Sequence, residues 1–218
     1  MLAILGVDIY RIDKVITSFG MPMGRFRLQD FVGYEVSIEV GKQFVTAFGD
    51  RTFKTPLTEI TIENKQAGEK NSKGYYIYDE KRRAHRAPEV KEIIEQARKF
   101  SKTMPGGKPI VVTDREILEM IFFPVVNETC RVLDEGVAIK ASDLDVSSVL
   151  GMGFPAYRGR IVFFWGDSVG AGHIYSSLKK WSESYGGLLK PSTYSEGRAA
   201  RGIPLSAPVA AKNFGSCL

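Results

Sequence analysis

The stretch Ile117–Gly170, ILEMIFFPVVNETCRVLDEGVAIKASDLDVSSVLGMGFPAYRGRIVFFWGDSVG, decides the fold class. Ile117, Ile121, Val125, Val132 and Leu133 recur at near-helical spacing, and Leu118, Phe122, Val126 and Thr129 form a neighbouring stripe. Two apolar stripes on one helix predict burial on more than one side. Gly136 stands where a helix-terminating glycine is expected. Ser142 with Asp145 three positions on resembles a capping box, opening a second helix that runs to Leu150. Gly151, Gly153 and Pro155 then break the pattern into an elbow before the aromatic run Phe163-Phe164-Trp165.

Upstream, Ile9, Ile12, Ile16 and Phe19 lie on one face of a short helix that Gly20 stops, and GMPMG forms an elbow like the one after Leu150. Residues 25–48 carry a helical pattern through Tyr34, Ile38, Val45 and Phe48. Periodicity weakens from Gly49 to Arg86, apart from the aromatic patch Tyr75-Tyr76-Ile77-Tyr78, which suits a short extended piece. Residues 88–100 predict a helix with Val90, Ile93, Ile94 and Ala97 inward, and Thr113 or Asp114 caps the long helix. Ile174, Leu178, Trp181 and Tyr185 mark one more packed helix; from Gly186 the chain is rich in Gly, Pro, Ser and Ala, and its end is expected to be mobile. The fold class expected is all-α with at most a minor extended element.

An internal repeat organises these elements. Asp13, Gly20, Pro22, Gly24 and then Asp30-Phe31-Val32-Gly33 correspond to Asp145, Gly153, Pro155, Gly159 and then Asp167-Ser168-Val169-Gly170. The second copy is preceded by a long helix and the first is not. The first unit is therefore expected to lack its leading helix, and the chain to be a fragment of something longer. The expected division is 1–86, an incomplete first unit with a basic linker, and 87–218, a second unit with its tail.

Chemistry is sparse. The longest apolar run, Ile121–Val126, is far short of a membrane span, and the N-terminus lacks the basic segment of a signal peptide. Cys130 and Cys217 cannot build a disulfide framework, and Cys130 on a predicted helix reads as a small buried hydrophobe, which favours an intracellular compartment. The net charge of +5 draws on Lys65, Lys70, Lys73, Lys81, Arg82, Arg83 and Arg86, a solvated linker in preference to a nucleic-acid surface. Gly151-Met152-Gly153-Phe154-Pro155-Ala156 matches a dinucleotide fingerprint in letters only, because a helix precedes it and a proline interrupts it. Gly106-Gly107-Lys108 continues into Pro109 and is no phosphate loop. His85 and His173 have no metal-ligand spacing. Asp30 and Asp167 are expected to hydrogen-bond locally ahead of their glycines. No catalytic residue, metal ligand or cofactor-binding residue is assigned.

FGMPMGRFRLQDFVGYEV (Phe19–Val36) resembles the G-x-P-M-G-P-F-x-L-x-D-x-x-G motif of the C-terminal domain of 3-hydroxyacyl-CoA dehydrogenases. GEKNSKGYYIYD (Gly68–Asp79) is similar to the segment that ends such a domain, and Phe122–Gly159 resembles the second copy in plant-type peroxisomal β-oxidation multifunctional proteins. The resemblance implies tandem helical units packed as a pseudo-dimer. It also implies partners elsewhere in a parent protein: an enoyl-CoA hydratase part and a Rossmann domain holding NAD and the hydride-transfer His and Glu. A polar Asn belongs on the leading helix of the first copy, and Asn127 does not match it. By resemblance, Met21, Pro22, Met23 and Gly24 face the acyl-CoA cleft; they are the only site candidates. Three positions depart from the pattern: Arg25 replaces a proline, Arg160 replaces a glycine, and Phe163–Gly166 carries one extra residue before Asp167. Ser216-Cys217-Leu218 resembles a peroxisomal S-K-L signal with Cys217 in the basic position. A non-enzymatic helical module that pairs with full-length subunits is the alternative.

Overall fold

The computed structural model describes residues 1–101 and 107–208, without the side chains of 162–164. The helices are α1 (Ile9–Phe19), α2 (Arg25–Val32), α3 (Tyr34–Ala47), α4 (Leu57–Glu63), α5 (Val90–Ser101), α6 (Asp114–Asp134), α7 (Ala141–Met152), the single turn α8 (Asp167–Val169), α9 (Ala171–Tyr185) and α10 (Thr193–Arg201). The expected all-α class holds, with one antiparallel hairpin of β1 (Tyr76–Tyr78) and β2 (Ala84–Arg86) among the described residues. None of the described helices is long and apolar enough to cross a membrane. The chain forms two compact units: Met1–Phe122 with Trp181–Lys190, and Phe123–Lys180 with the segment from Pro191 onward.

In the first unit, α1 starts because Asp8 accepts the Tyr10 amide at 3.1 Å, and stops because Gly20 takes φ 120°. Its inward face of Ile9, Ile12 and Ile16 packs into a core with Ile4, Leu5, Phe26 and Tyr75. Helix α5 adds Val90, Ile93, Ile94 and Ala97 to the same core, as the start of α6 adds Ile117. Arg98 donates to the Ala3 carbonyl at 2.7 and 3.0 Å and ties the N-terminal segment down. The pattern expected to run from residue 25 to 48 is two helices, because Gly33 at φ 95° turns the chain between them. Helix α4, where periodicity looked weak, has only seven residues, too few to display a repeat.

The capping box expected at Ser142 and Asp145 lies elsewhere. Thr113 Oγ1 accepts the Glu116 amide at 3.2 Å, and Glu116 accepts the Thr113 amide at 2.7 Å, so the reciprocal pair opens α6. Helix α7 begins after Lys140 with no side-chain cap, and Asp145 is fully buried in its second turn. In the second unit, Phe123, Val126, Cys130, Phe154, Ile174 and Leu178 are buried. Residues 161–166 form a π-helix, with the Trp165 amide bonded to the Arg160 carbonyl at 2.9 Å. A π turn is how a helix absorbs one inserted residue, which accounts for the extra residue before Asp167. Arg160 itself is absent from the positive-φ positions, so its replacement of glycine costs no backbone strain. Helix α10, hidden in the Gly/Ser-rich tail, is capped by Ser192, which accepts the Ser195 amide at 3.1 Å. Ser216, Cys217 and Leu218, and the end expected to be mobile, lie outside the described residues from position 209 on.

Candidate functional site

The elbow Met21–Gly24 joins α1 to α2, and a buried aspartate holds it. Asp13 on α1 is 4% exposed; its carboxylate accepts the Phe26 amide at 3.0 Å and the Arg27 amide at 2.9 Å. These are first-turn amides of α2, so Asp13 caps that helix from the preceding one. The Tyr76 hydroxyl donates to the same carboxylate at 2.9 Å. Burial raises the Asp13 pKa, opposed by these three hydrogen bonds. Gly24 sits against Asp13 so closely that a Cβ would lie 2.3 Å from its Cγ. Arg25, in the place of the family's proline, is the first residue of α2. Proline suits a first helical position because the N–H there has no intrahelical acceptor and its φ is already helical, so Arg25 gives up only that preset φ.

Met21 packs toward the core, whereas Pro22, Met23 and Gly24 line an open groove of about 540 Å³. Its other walls are Tyr10, Lys14 and Thr17 from α1, Arg27 from α2, and Tyr76, Ala84 and Arg86 of the hairpin. Tyr10 accepts the Ala87 amide at 2.7 Å, which anchors its hydroxyl in the backbone. The Tyr10 ring meets Tyr76 edge-on at 5.1 Å and carries the Arg86 guanidinium at 5.0 Å. Arg27 pairs with Glu69 at 2.6 Å and lies 4.6 Å over the Tyr78 ring. In the sequence Arg86 belongs to the basic linker and Asp13 to the repeat, and neither spacing points to this groove. The signal available was an aspartate two turns before each glycine elbow.

Asp30 is 1% exposed and does more than the local bonding expected of it. It accepts the Tyr75 and Tyr76 amides, each at 2.9 Å, the Tyr78 hydroxyl at 2.7 Å, and the Tyr34 hydroxyl one turn away. Asp167 behaves alike in the second unit, accepting the Leu205 amide at 2.6 Å, the Ser206 amide at 3.4 Å and the Ser206 hydroxyl. Each carboxylate fastens a segment that returns from far along the chain.

Other candidates resolve structurally. Gly153 ends α7 in the left-handed region, so the Gly151–Ala156 stretch closes a helix and lacks the helix start that a dinucleotide phosphate needs. His85 sits 3.1 Å from Asp79 on the exposed hairpin, and His173 meets the Phe123 ring edge-on at 5.5 Å. Among the described residues no group of three His, Cys, Asp or Glu side chains could hold a metal.

Residues 1–78 match the family model of the 3-hydroxyacyl-CoA dehydrogenase C-terminal domain. The whole chain is similar to particular members of a larger class. It is 51% identical over 216 residues to the peroxisomal fatty acid beta-oxidation multifunctional protein of Oryza sativa, covering 99% of this chain and 30% of that protein. It is 56% identical over 206 residues to the peroxisomal fatty acid beta-oxidation multifunctional protein AIM1 of Arabidopsis thaliana, covering 94% of this chain and 28% of that protein. The chain thus spans under a third of the length of these relatives. Among solved structures, the dehydrogenase part of multifunctional enzyme 1 from C. elegans superposes with a TM-score of 0.65 at 25% identity, covering 88% of this chain and 42% of that one. The 3-hydroxybutyryl-CoA dehydrogenase of Escherichia coli shares the fold, with a TM-score of 0.65 at 15% identity, over 90% of this chain and 55% of that one.

Proposed function

We propose that this chain is the C-terminal part of a peroxisomal or glyoxysomal fatty-acid β-oxidation multifunctional protein, built from two tandem dehydrogenase C-terminal-type units, 1–86 and 87–218. The observation that carries this reading is the 51% identity that runs over 99% of the chain and matches only 30% of the relative. The complete protein would hydrate an enoyl-CoA and oxidise the (3S)-hydroxyacyl-CoA to the 3-ketoacyl-CoA. In that oxidation the C3 hydride passes to NAD and the hydroxyl proton to a base. NAD and the base would belong to the Rossmann domain, because the described residues here offer no dinucleotide cradle.

This chain's own contribution is a wall of the acyl-CoA cleft. Gly24 packs against Asp13, which bonds the amides of Phe26 and Arg27 just beyond the elbow, and Pro22 presents an exposed apolar ring to the groove. The test is NADH formation from a 3-hydroxyacyl-CoA, first with the chain alone and then with it joined to the Rossmann domain of a plant relative. No turnover alone and restored turnover on joining is the expected result. Turnover by the chain alone would mean that it contains a cofactor site and a base of its own.

A second reading, a non-enzymatic module pairing with full-length subunits, is favoured by α3. That helix buries only Tyr34, and it exposes Val36, Val40 and Phe44 at successive four-residue steps. Co-purification with a full-length relative, abolished by Phe44→Glu, supports it. A chain that stays monomeric in the presence of that relative rejects it.

A further inference from the structure

Lys14 and Arg86 come from different elements, α1 and β2, and meet at the same groove. Both are exposed, and neither has an acidic partner among the described residues. Asp13, the one carboxylate in the groove wall, is buried and spends both oxygens on two amides and a tyrosine hydroxyl. Its charge is thus already directed inward. Arg27 is held by Glu69, so it adds a fixed wall while sharing its charge. What lines the groove is two cations with no acidic partner among the described residues, Lys14 and the Tyr10-stacked Arg86, together with the apolar Pro22 and Met23. Convergence of cations from separate elements distinguishes this arrangement from the hairpin tip, where Lys81, Arg82 and Arg83 are sequence neighbours spread into solvent. A volume of about 540 Å³ is of the size that holds a small molecule.

We propose that this groove binds the phosphate or pyrophosphate group of a small ligand between Lys14 and Arg86, with the ligand's apolar part along Pro22 and Met23. The assignment deepens the acyl-CoA reading and rests on it for the ligand's identity alone. The phosphates could come from the nucleotide end of a CoA thioester or from a free nucleotide, and both carry the same pyrophosphate chemistry.

The experiment is calorimetric titration of the full chain with inorganic pyrophosphate, ADP and coenzyme A, repeated on Lys14→Ala, Arg86→Ala, Lys14→Arg and, at the hairpin tip, Lys81→Ala. Pyrophosphate binding that weakens about tenfold in each alanine variant, recovers in Lys14→Arg and is unchanged in Lys81→Ala is the expected result. Coenzyme A binding more tightly than ADP identifies a CoA group as the source. Equal binding of the two leaves the anion site standing and removes the acyl-CoA reading. Coenzyme A binding that ignores Lys14 and Arg86 keeps the acyl-CoA reading and overturns the anion site. No pyrophosphate binding to the unsubstituted chain at millimolar concentration, or equal losses in Lys81→Ala, overturns it as well. Melting curves on every variant separate lost binding from lost folding.

Discussion

The Asp30 carboxylate accepts the Tyr75 amide at 2.9 Å across 45 residues of chain. The second unit repeats the relationship: Asp167 accepts the Leu205 amide at 2.6 Å across 38 residues. Both aspartates stand three residues before a glycine of nearly the same backbone conformation, Gly33 at φ 95°, ψ 148° and Gly170 at φ 92°, ψ 133°. A new helix starts at once after each glycine. The recurring pattern is therefore a closure device, in which a helix end turns sharply and its aspartate receives the returning segment. This is why the same residues recur in both units.

Replacing Asp30 with Asn should test how much that closure contributes. The site offers four donors, two amides and two hydroxyls, and the carboxylate accepts them all. An Asn amide leaves one oxygen to accept and points a donor at a backbone N–H that cannot turn away. Stability should fall by about 3 kcal/mol, seen as a lower urea midpoint at unchanged slope. A loss below about 0.5 kcal/mol would mean the donors find other partners.

Gly24→Ala should be costly for reasons of space alone. The backbone there is ordinary, φ −72° and ψ 159°, yet a Cβ would come 2.7 Å from the Asp13 Cα, a backbone atom that cannot swing aside. Overpacking of this kind costs about 1–3 kcal/mol. Gly41→Ala is the contrast: nothing lies within 4 Å of its Cβ position inside α3, and a helical Gly→Ala change should raise the melting temperature. Equal effects at the two positions would refute the packing argument.

Cys130 should resist alkylation in the native state. It is fully buried on α6, and burial pushes its thiol pKa up to about 12. Only the thiolate reacts, so labelling of this position by iodoacetamide should wait for unfolding by urea. Labelling at the rate of a free thiol in native buffer, assigned to Cys130 by peptide mapping, would show that α6 opens locally.

Helix positions were readable because apolar spacing survives in α1, α5, α6 and α9. Strand β1 is legible in the aromatic run Tyr75–Tyr78, whereas its partner β2 and α10 are not, since a three-residue strand and a nine-residue helix of low hydrophobicity leave no period to detect. The repeat marks Asp13, Asp30 and Asp167 but not their partners, which lie up to 63 residues away. The Pro22–Met23–Gly24 part of the elbow came through resemblance. Lys14 and Arg86, 72 positions apart by number, meet only because the hairpin folds back onto α1. Nothing in the spacing of either residue announces that.

Alkaline pH should unfold the first unit cooperatively. Burial raises the pKa of Tyr34, Tyr76 and Tyr78, with the Asp30 or Asp13 carboxylates adding to it, and pushes Tyr75 up to about 12. In the unfolded chain these phenols titrate near pH ~10. Below that value both states hold the protons and stability is level. Above it the unfolded chain releases protons that the native state keeps, so stability falls as pH rises from about 10 toward and beyond about 12. Each withheld proton steepens the fall by about 1 kcal/mol per pH unit. Melting temperature followed alongside tyrosinate absorbance should show the two changing together, with a shallower fall in Tyr78→Phe. Tyr78 tyrosinate, read as the absorbance difference between the chain and Tyr78→Phe, that forms before any loss of stability would mean that the cluster around Asp30 admits water.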